Sequence, residues 1–292
     1  MTIEMTVVHS IEALQGMLDR NKREGRKVGF VPTMGFLHEG HMTLVKQARE
    51  HNDIVVMSIF VNPAQFGPGE DFEAYPRDAK RDASLAKEAG VDILFMPTPE
   101  EMYPLDGGVR ILPGPQSKVL CGASRPGHFD GVLKVVLKLF NIVDPDRSYF
   151  GMKDAQQLAI IETFVRDYNL RTSIERVPIV RDQDGLAKSS RNVNLTEMER
   201  AEAPVIQQAL KKGALLFNKG VSVDEIEQEI AAFITENSSG IMDYVSLLSY
   251  PALTEWDGSS DEAILACAVK FGKTRLIDNT IMSTKGWLTC SE

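Results

Sequence analysis

The sequence lacks the features that mark membrane and secreted proteins. No apolar run in its 292 residues approaches the roughly 18–20 residues that span a bilayer. The first residues show no basic segment followed by an apolar core, so no secretory signal is visible. Cysteine is scarce, and Cys121, Cys267 and Cys290 lack the spacing of metal ligands. We therefore expect reduced thiols in a cytoplasmic protein.

An excess of basic residues is also missing. Lys and Arg number 32 against 41 Asp and Glu, which gives a net charge of −9. Sequence-independent binding to DNA or RNA relies on basic patches, so we expect no nucleic-acid partner, although a local basic pocket for a small anion stays possible. The P-loop pattern and G-x-G-x-x-G are absent as well, which excludes two common nucleotide-binding motifs.

What the sequence does contain, up to Arg181, is an alternation of strand-like and helix-like patterns. Continuous apolar or β-branched runs predict buried strands. The predicted strands are 27–34, 53–60, 91–97, 148–151 and 173–180, and the predicted helices are 39–51, 78–89, 129–143 and 155–168. This alternation predicts an α/β fold with a doubly wound, Rossmann-like parallel sheet and helices on both faces.

After Arg181 the pattern changes from alternation to helices followed by strands. The predicted helices are 197–217 and 223–235, and the predicted strands are 244–249, 263–269 and 274–281, with a hairpin signal near Gly272. This order is typical of a smaller α+β domain. We therefore predict two domains, residues 1–181 and 182–292.

Two stretches interrupt the alternation. Residues 66–77 are rich in Gly, Pro and charge, and we interpret them as a mobile flap. Residues 98–128 are mostly irregular. A long structureless stretch inside a domain is usually functional or disordered.

The segment FVPTMGFLHEGH places His38 and His41 on the first turn of a predicted helix. A spacing of three residues points both rings to the same side. The turn from strand to helix lies at the ligand-binding edge of a doubly wound sheet, where helix N–H groups favour phosphate. From the spacing alone three interpretations stay open: two polar residues at a helix start without a ligand-binding role, a zinc site without a visible third ligand, and a phosphate-binding pair.

Two further segments favour phosphate. In YFGMKDAQQLAI a strand ends near Gly151 and a helix begins after Lys153 and Asp154, with Gln157 one turn on. Asp154 could simply cap that helix. In VRDQDGLAKSSRN two hydroxyls lie beside two cations, Lys188 and Arg191, which suits a polyphosphate. Taken alone, that second segment could also be a polar linker.

Six segments in order now resemble one family. They are FVPTMGFLHEGH, SIFVNPAQF, YPR, RPGHFDGV, YFGMKDAQQL and DGLAKSSRN, between about Val28 and Asn194. Together they resemble the pantothenate synthetase (pantoate–β-alanine ligase) family of the H-x-G-H nucleotidyltransferase superfamily. KSSRN resembles the K-M-S-K-S-type loop of that superfamily. Lys188 departs from the family pattern, in which an apolar residue usually precedes SSRN.

The resemblance implies a ligase that condenses (R)-pantoate with β-alanine through a pantoyl adenylate and releases AMP and pyrophosphate. It implies catalytic roles for His38, His41, Lys153 and Arg191, with His41 as the proton-donating residue. The implied ATP-binding residues are Met34, Gly35, Phe36, Leu37, His38, Glu39, Gly40, His41, Gly151, Met152, Lys153, Asp154, Val180, Lys188, Ser189, Ser190 and Arg191. The implied substrate-binding residues are Gln65, Gln157 and Asn62. Arg125 and His128 could touch phosphate or merely order the irregular stretch.

The resemblance also implies Mg²⁺, brought with ATP and bridging its phosphates, with no metal site of protein ligands. It implies a homodimer and closure of residues 66–77 over the adenylate. Two alternatives share the fold: another nucleotidyltransferase, and a nucleotide sensor without activity. The presence of both histidines, Lys153 and KSSR argues against the sensor.

Overall fold

The computed structural model describes residues 4–105 and 108–284, which form two compact units. The first comprises the described residues up to Pro113, Arg125–Gly151 and Ile160–Val177, and the second comprises Gly114–Ser124, Met152–Ala159 and the described residues from Pro178. The two-domain division at residue 182 stays a prediction. Cys290, for which we predicted a reduced thiol, lies outside the described residues.

A six-stranded parallel sheet forms the centre of the first unit. Its strands are β1 (Thr6–Val8), β2 (Val28–Thr33), β3 (Ile54–Ile59), β4 (Ile93–Phe95), β5 (Arg147–Gly151) and β6 (Ser173–Val177). They are ordered β1-β4-β3-β2-β5-β6, and each pairing is parallel. The predicted doubly wound parallel sheet is thus confirmed.

Helices alternate with these strands. They are α1 (Ile11–Arg23), α2 (Glu39–His51), α3 (Ala79–Ala89), α4 (Pro99–Met102), α5 (Cys121–Ser124), α6 (His128–Val143) and α7 (Ala155–Asp167). The apolar sides of α2 and α3 share one buried cluster with β2, β3 and β4, in which Leu44, Val45 and Ala86 meet Val31 and Val55. Burial of these side chains, at about 1.5–3 kcal/mol for each large one, fixes the helices on the sheet.

The strand order reverses at β2. From β2 the chain proceeds to β3 and β4 on one side, and β5 then pairs with β2 on the other side. In open α/β sheets ligands bind outside the carboxyl ends of the strands at such a reversal. The residues after Thr33 leave β2 at this edge.

The second unit is built on an antiparallel sheet of three strands. They are β7 (Ile241–Tyr250), β8 (Glu262–Phe271) and β9 (Thr274–Ser283), and the helices of this unit include α8 (Glu197–Glu202), α9 (Val205–Asn218) and α10 (Val223–Asn237). Ile206 of α9 and Ile230 of α10 pack against Leu265 and Cys267 of β8. The smaller α+β part that the sequence predicts is present.

Some boundaries differ from the prediction, for local reasons. The predicted helix 197–217 is two helices, because Pro204 has no backbone N–H to continue the first. The last strand predicted in the first part ends at Val177, before Pro178. Strand β1 and helix α1 were not predicted. The described part of 98–128 contains α4, α5 and a 3-10 helix, Pro115–Lys118, so it is less irregular than expected.

Within the described ranges, no helix has the length and apolar character needed to cross a membrane.

Candidate active site

The turn between β2 and α2 carries the two histidines. His38 is the N-cap of α2, and its Nδ1 accepts a hydrogen bond from Gly40 N at 3.1 Å. His41 Nδ1 accepts from His38 N at 3.2 Å. The ring centroids are 4.0 Å apart. The two imidazoles therefore serve as caps of the helix and also lie side by side, as the spacing predicts.

These hydrogen bonds assign the tautomer of each ring. Because each Nδ1 accepts from a backbone N–H, the proton of a neutral ring is on Nε2. Both histidines then present an Nε2–H donor beside the N-terminus of α2, where the helix dipole also favours negative charge. This arrangement can stabilise phosphate oxygens.

A buried carboxylate holds the turn in place. Asp82 of α3 accepts from Phe36 N and Leu37 N at 2.7 Å each and is 1% exposed. Gly35 has φ +86°, and a Cβ there would lie 2.9 Å from Ile59 Cγ2, so the turn excludes a side chain at that position. Sequence reasoning missed Asp82, which was predicted only as part of the helix 78–89.

A second loop of the first unit carries Asn62 and Gln65. Asn62 is 1% exposed and caps a 3-10 helix, Pro63–Gln65, by accepting from Ala64 N at 3.2 Å. Its Nδ2 donates to Gln65 Oε1 at 3.1 Å. Gln65 Nε2 donates in turn to Met34 Sδ at 3.0 Å. The structure thus brings a predicted substrate residue next to the histidine turn, and it places Asn62 as a cap and a support for Gln65.

The loop around Gln65 is packed directly on α6. Asn62 Nδ2 also donates to Gly131 O at 3.1 Å, and Tyr103 Oη donates to Asn62 Oδ1 at 2.9 Å. Burial raises the pKa of Tyr103 to about 12, so the phenol keeps the proton that it donates. A Cβ at Gly131 would lie 2.0 Å from Ala64 O. The position of Gln65 therefore depends on the absence of a side chain on the facing helix.

Residues 66–77 form a loop of turns with an aromatic cluster. Phe66 lies 5.3 Å from Phe72 and 6.2 Å from Tyr75, measured between ring centroids. The Arg77 guanidinium donates to the carbonyl oxygens of Phe72, Glu73 and Tyr75 at 2.8–3.2 Å. The loop is thus folded on itself, and its predicted mobility stays a prediction.

In the second unit, the residues after Gly151 form a 3-10 turn, Met152–Asp154, that leads into α7. The Lys153 ammonium lies 3.8 Å from Asp154 Oδ1. The amide of Asn279 donates to the carbonyls of Met152 and Lys153 at 3.0 and 2.9 Å. Asn279, from β9, was also missed by sequence reasoning. It fixes the backbone from which Lys153 projects.

The two adjacent glutamines of α7 have different environments. Gln156 is buried, and its Nε2 donates to Gln116 O and Val119 O at 2.9 and 2.7 Å. Gln157 is half-buried. Gln156 therefore forms hydrogen bonds within the protein, whereas Gln157 is the residue predicted to bind substrate.

The segment 180–191 folds back as a short hairpin. Lys188 N donates to Val180 O at 2.9 Å, and Gly185, with φ +97°, lies in the turn. The Lys188 ammonium lies 2.5 Å from Asp182 Oδ1. Lys188 is therefore an ion-pair partner of the turn that precedes it.

Ser189, Ser190 and Arg191 follow as the start of a 3-10 helix, Ser190–Asn194. Ser189 is the N-cap and accepts from Arg191 N at 3.3 Å. Ser190 is buried. The hairpin beneath is fixed by Arg181, which binds the buried Asp278 with two hydrogen bonds of 2.6 and 3.0 Å. The predicted cationic loop is thus a turn capped by Ser189, and it follows a hairpin that the Arg181–Asp278 pair holds in place.

Among residues 4–105 and 108–284, no group of three or more His, Cys, Asp and Glu side chains is placed to hold a metal ion.

The sequence matches the family described as Pantoate-beta-alanine ligase over residues 6–281. The pantothenate synthetase of Lysinibacillus sphaericus is 55% identical over 281 residues, which cover 96% of this chain and 99% of that protein. The pantothenate synthetase of Bacillus subtilis is 52% identical over 281 residues, which cover 96% and 98%.

Solved structures agree. Pantothenate synthetase from Thermus thermophilus has a TM-score of 0.89 at 44% identity, with 94% of this chain and 99% of that chain covered. Pantoate-beta-alanine ligase from Francisella tularensis, complexed with Beta-gamma ATP and Beta-alanine, has a TM-score of 0.80 at 34% identity, with 95% and 98% covered. Both the fold and the family resemblance are confirmed, and the chain belongs to the pantoate–β-alanine ligase family.

Proposed function

We propose that this chain condenses pantoate with β-alanine at the expense of ATP. The pantoate carboxylate attacks the α-phosphorus of ATP, which forms pantoyl adenylate and releases pyrophosphate. The amine of β-alanine then attacks the acyl carbon, and pantothenate and AMP leave. The observation that carries the proposal is the histidine turn at the reversal of the strand order, in a chain that matches the ligase family over residues 6–281.

The first step requires stabilisation of charge on phosphate oxygens, because phosphoryl and nucleotidyl transfer depend on positioning and electrostatics. His38 and His41 donate from Nε2 to the phosphates. His41 acts as the proton donor to an oxygen of the leaving pyrophosphate. Lys153 neutralises charge at the α-phosphate, and Arg191 contributes a fork of donors.

The remaining nucleotide contacts follow from the family. Gly151, Met152 and Asp154 contact the nucleotide beside Lys153, and Val180 lies against the adenine. Met34, Gly35, Phe36, Leu37, Glu39 and Gly40 supply the rest of the histidine turn. Lys188, Ser189 and Ser190 contact the polyphosphate. Lys188 reaches it from its ion pair with Asp182, so its ammonium is already oriented and partly neutralised.

Pantoate carries hydroxyl groups and a carboxylate, which amides can bind as donors and acceptors. Gln65 and Gln157 bind it, and Gln65 also borders the β-alanine site. Asn62 acts on pantoate through Gln65, because its own amide already has partners in Gln65, Gly131 and Tyr103. The aromatic loop 66–77 excludes water from the adenylate.

Mg²⁺ fits this site only through the nucleotide. The imidazole Nε2–H groups and the cations of Lys153 and Arg191 are donors to anions, and none of them can ligate a metal in that state. Mg²⁺ bound to the ATP phosphates supplies charge neutralisation of the pyrophosphate. The residues named above then orient the nucleotide.

A homodimer and a cytoplasmic location complete the proposal. Val109 and Leu112 are strongly exposed apolar side chains of the first unit, and such side chains suit an interface between copies. Cys121 and Cys267 are free thiols, which suits a reducing compartment. Sedimentation of the wild type and of Val109→Lys tests the dimer: the variant should be monomeric, and a monomeric wild type would contradict it.

The experiment that tests the reaction is pantoate-dependent ATP–pyrophosphate exchange with Mg²⁺ and without β-alanine. β-Alanine is then added, and AMP and pantothenate are measured. Exchange that requires pantoate, followed by AMP release that requires β-alanine, is the expected result. Exchange or nucleotide transfer only with another acid or phosphate ester would overturn the substrate assignment and leave the fold untouched.

A further inference from the structure

Arg125 and His128, in the motif SRPGHF, have no part in the chemistry above, yet both contact the loop that carries Gln65. His128 Nδ1 lies 2.8 Å from the carbonyl oxygen of Gln65, and Arg125 Nη2 lies 3.4 Å from the same oxygen. A carbonyl oxygen only accepts, so the His128 proton is on Nδ1. Its Nε2 then accepts from Arg125 Nη1 at 3.1 Å.

The same guanidinium binds the loop 66–77. Arg125 Nε donates to Glu70 Oε1 at 2.7 Å, and Nη2 donates to Glu70 Oε2 at 2.5 Å. The pair is bidentate, and its side chains are only 18% and 22% exposed. Arg125 thus joins three parts of the chain: the segment that leads into α6, the Gln65 carbonyl and the 66–77 loop. Bidentate pairs of this kind fix geometry as well as charge.

The charge balance favours an internal role for Arg125. Burial by itself would raise the pKa of Glu70, but the hydrogen bond and positive charge of Arg125, with smaller contributions from the Gly67 backbone and His128, together hold that pKa below its ordinary value. Glu70 is therefore a carboxylate at neutral pH. An anionic substrate would have to displace this carboxylate from the guanidinium.

The loop itself is prefolded, so one attachment can position all of it. Phe66, Phe72 and Tyr75 pack together, and Arg77 binds three of the loop's own carbonyls. Glu70 lies on this loop and points to Arg125. A break in the Glu70–Arg125 pair would release the loop as a body.

We propose that Arg125 is a positioning residue that latches the 66–77 loop, through Glu70, to the segment that leads into α6, and so keeps water from the adenylate. The consequence rests on the proposed function. When the loop is released, water attacks the acyl carbon of pantoyl adenylate, the acyl–phosphate bond breaks, and pantoate, AMP and a proton leave. ATP is then consumed without formation of pantothenate.

The test uses Glu70→Gln, Arg125→Gln and the double variant in the full chain. The readout is the AMP formed per pantothenate at limiting β-alanine, which is one when no adenylate is hydrolysed. Each single variant should raise this ratio at least about threefold while pantoate-dependent exchange falls by less than about threefold. The ratio of AMP to pantothenate in the double variant should not exceed that of the more affected single variant, because both substitutions break the same interaction.

Glu162→Gln is the matched control. Glu162 forms another bidentate pair, with Arg176, at 2.6 and 2.7 Å in the same unit. Its loss should leave the ratio at one. The charge reversal Glu70→Arg with Arg125→Glu should bring the ratio back toward one, because it restores the ion pair. If either residue had a purely structural role, the reversal would not restore the ratio.

Two outcomes would overturn the proposal. One is a ratio that stays at one in Glu70→Gln. The other is a rise of about tenfold or more in KM for pantoate or β-alanine that occurs in Arg125→Gln alone, which would make Arg125 a substrate ligand.

A second readout needs no substrate. Tryptic cleavage after Arg77 should be about fivefold faster or more in Glu70→Gln than in the wild type and Glu162→Gln, because a released loop opens more often. Equal cleavage rates would overturn the latch. If the wild type lacks pantoate-dependent exchange, the proposed function fails, and the cleavage experiment still decides whether the latch exists.

Discussion

The two segments that we propose bind anions, the histidine turn of the first unit and the KSSR loop of the second, are held by different means. Asp82, 1% exposed, fixes the histidine turn through two backbone N–H groups. Lys188 of the KSSR loop and Asp182, with side chains 23% and 25% exposed, form an ion pair. The histidine turn is thus positioned by buried hydrogen bonds to a carboxylate, whereas the KSSR loop has, besides the buried Arg181–Asp278 pair of its hairpin, a partly solvated ion pair at its own lysine.

This difference teaches what each segment can contribute. Donors held by buried bonds do not reorganise when charge develops, and such preorganised donors supply most electrostatic catalysis. Partly exposed ion pairs are worth about 0–1 kcal/mol and are screened by salt, so the cations of the second segment can adjust to the nucleotide. We therefore expect the histidine turn to determine the rate and the KSSR loop to determine nucleotide affinity.

The largest effect is expected at the histidine turn. His41→Ala should slow adenylate formation by a factor of about a hundred or more, because a preorganised donor to a transferring phosphate is lost. His41→Asn should do the same, although its Oδ1 can still accept from His38 N and keep the helix cap. Pantoate-dependent exchange is the measurement. His9→Ala, at an exposed histidine bonded to Met96 O, is the control, and exchange near the wild-type rate in both His41 variants would remove the role.

The next effect concerns the support of that turn. Asp82→Asn places an amide donor against the N–H of Phe36 or Leu37, so one buried donor loses its partner. The free energy of unfolding should fall by about 1–3 kcal/mol, as is usual for such a loss. Denaturant unfolding measures it, with Glu88→Gln on the same helix as the control. An unchanged midpoint and slope would show that the turn does not depend on Asp82.

A smaller effect is expected beneath the KSSR loop. Asp182→Asn removes the carboxylate bound by Lys188 and Arg200. KM for ATP should change by no more than about threefold, and the change should shrink as salt is added, because the pair is partly exposed. Steady-state kinetics at two ionic strengths measure this, with Glu229→Gln, which breaks an exposed pair with Lys212, as control. A change in KM for ATP that is larger than about threefold and does not shrink with added salt would contradict the difference that we draw between the supports of the two segments.

The smallest effect is a pH dependence of the same hairpin. The hydrogen bond from Arg200, followed by the opposing effect of burial, leaves the pKa of Asp184 below its ordinary value. A depressed pKa adds stability above the pKa of the unfolded state, and this stability is lost as the pH falls through the folded-state pKa. The free energy of unfolding of the wild type should exceed that of Asp184→Asn by less than about 1 kcal/mol at neutral pH. In acid the two free energies should be equal. Unfolding curves that stay separated by the same amount at every pH would contradict this.

Features set by local sequence could be predicted, and α2 is the clearest case. Residues 39–51 were predicted as a helix, and the structure has Glu39–His51. The pairing of His38 and His41 follows from helical geometry alone, so their proximity was also predictable. Helix α1 carried similar signals, since Ser10 caps it and Leu14 and Leu18 are its buried residues, but we did not use them.

The supports of the site could not be predicted, because they come from distant parts of the chain. Asp82 reaches Leu37 across 45 residues, and Asn279 reaches Lys153 across 126. Periodicity reports which face of an element is buried, but not which loop a polar residue on it will meet. Asp82 was therefore predicted only as a residue of the helix 78–89. The partners of Arg125 and His128 were open for the same reason.

Single-turnover formation of the adenylate, with saturating ATP and pantoate, tests the central claim most directly. The claim is that buried support of the histidine turn sets the rate, whereas the partly exposed ion pairs of Asp182 do not. Asp82→Asn should be about tenfold or more slower than the wild type, and Asp182→Asn should stay within about threefold. A wild-type rate in Asp82→Asn, or a slower rate in Asp182→Asn than in Asp82→Asn, would contradict the claim.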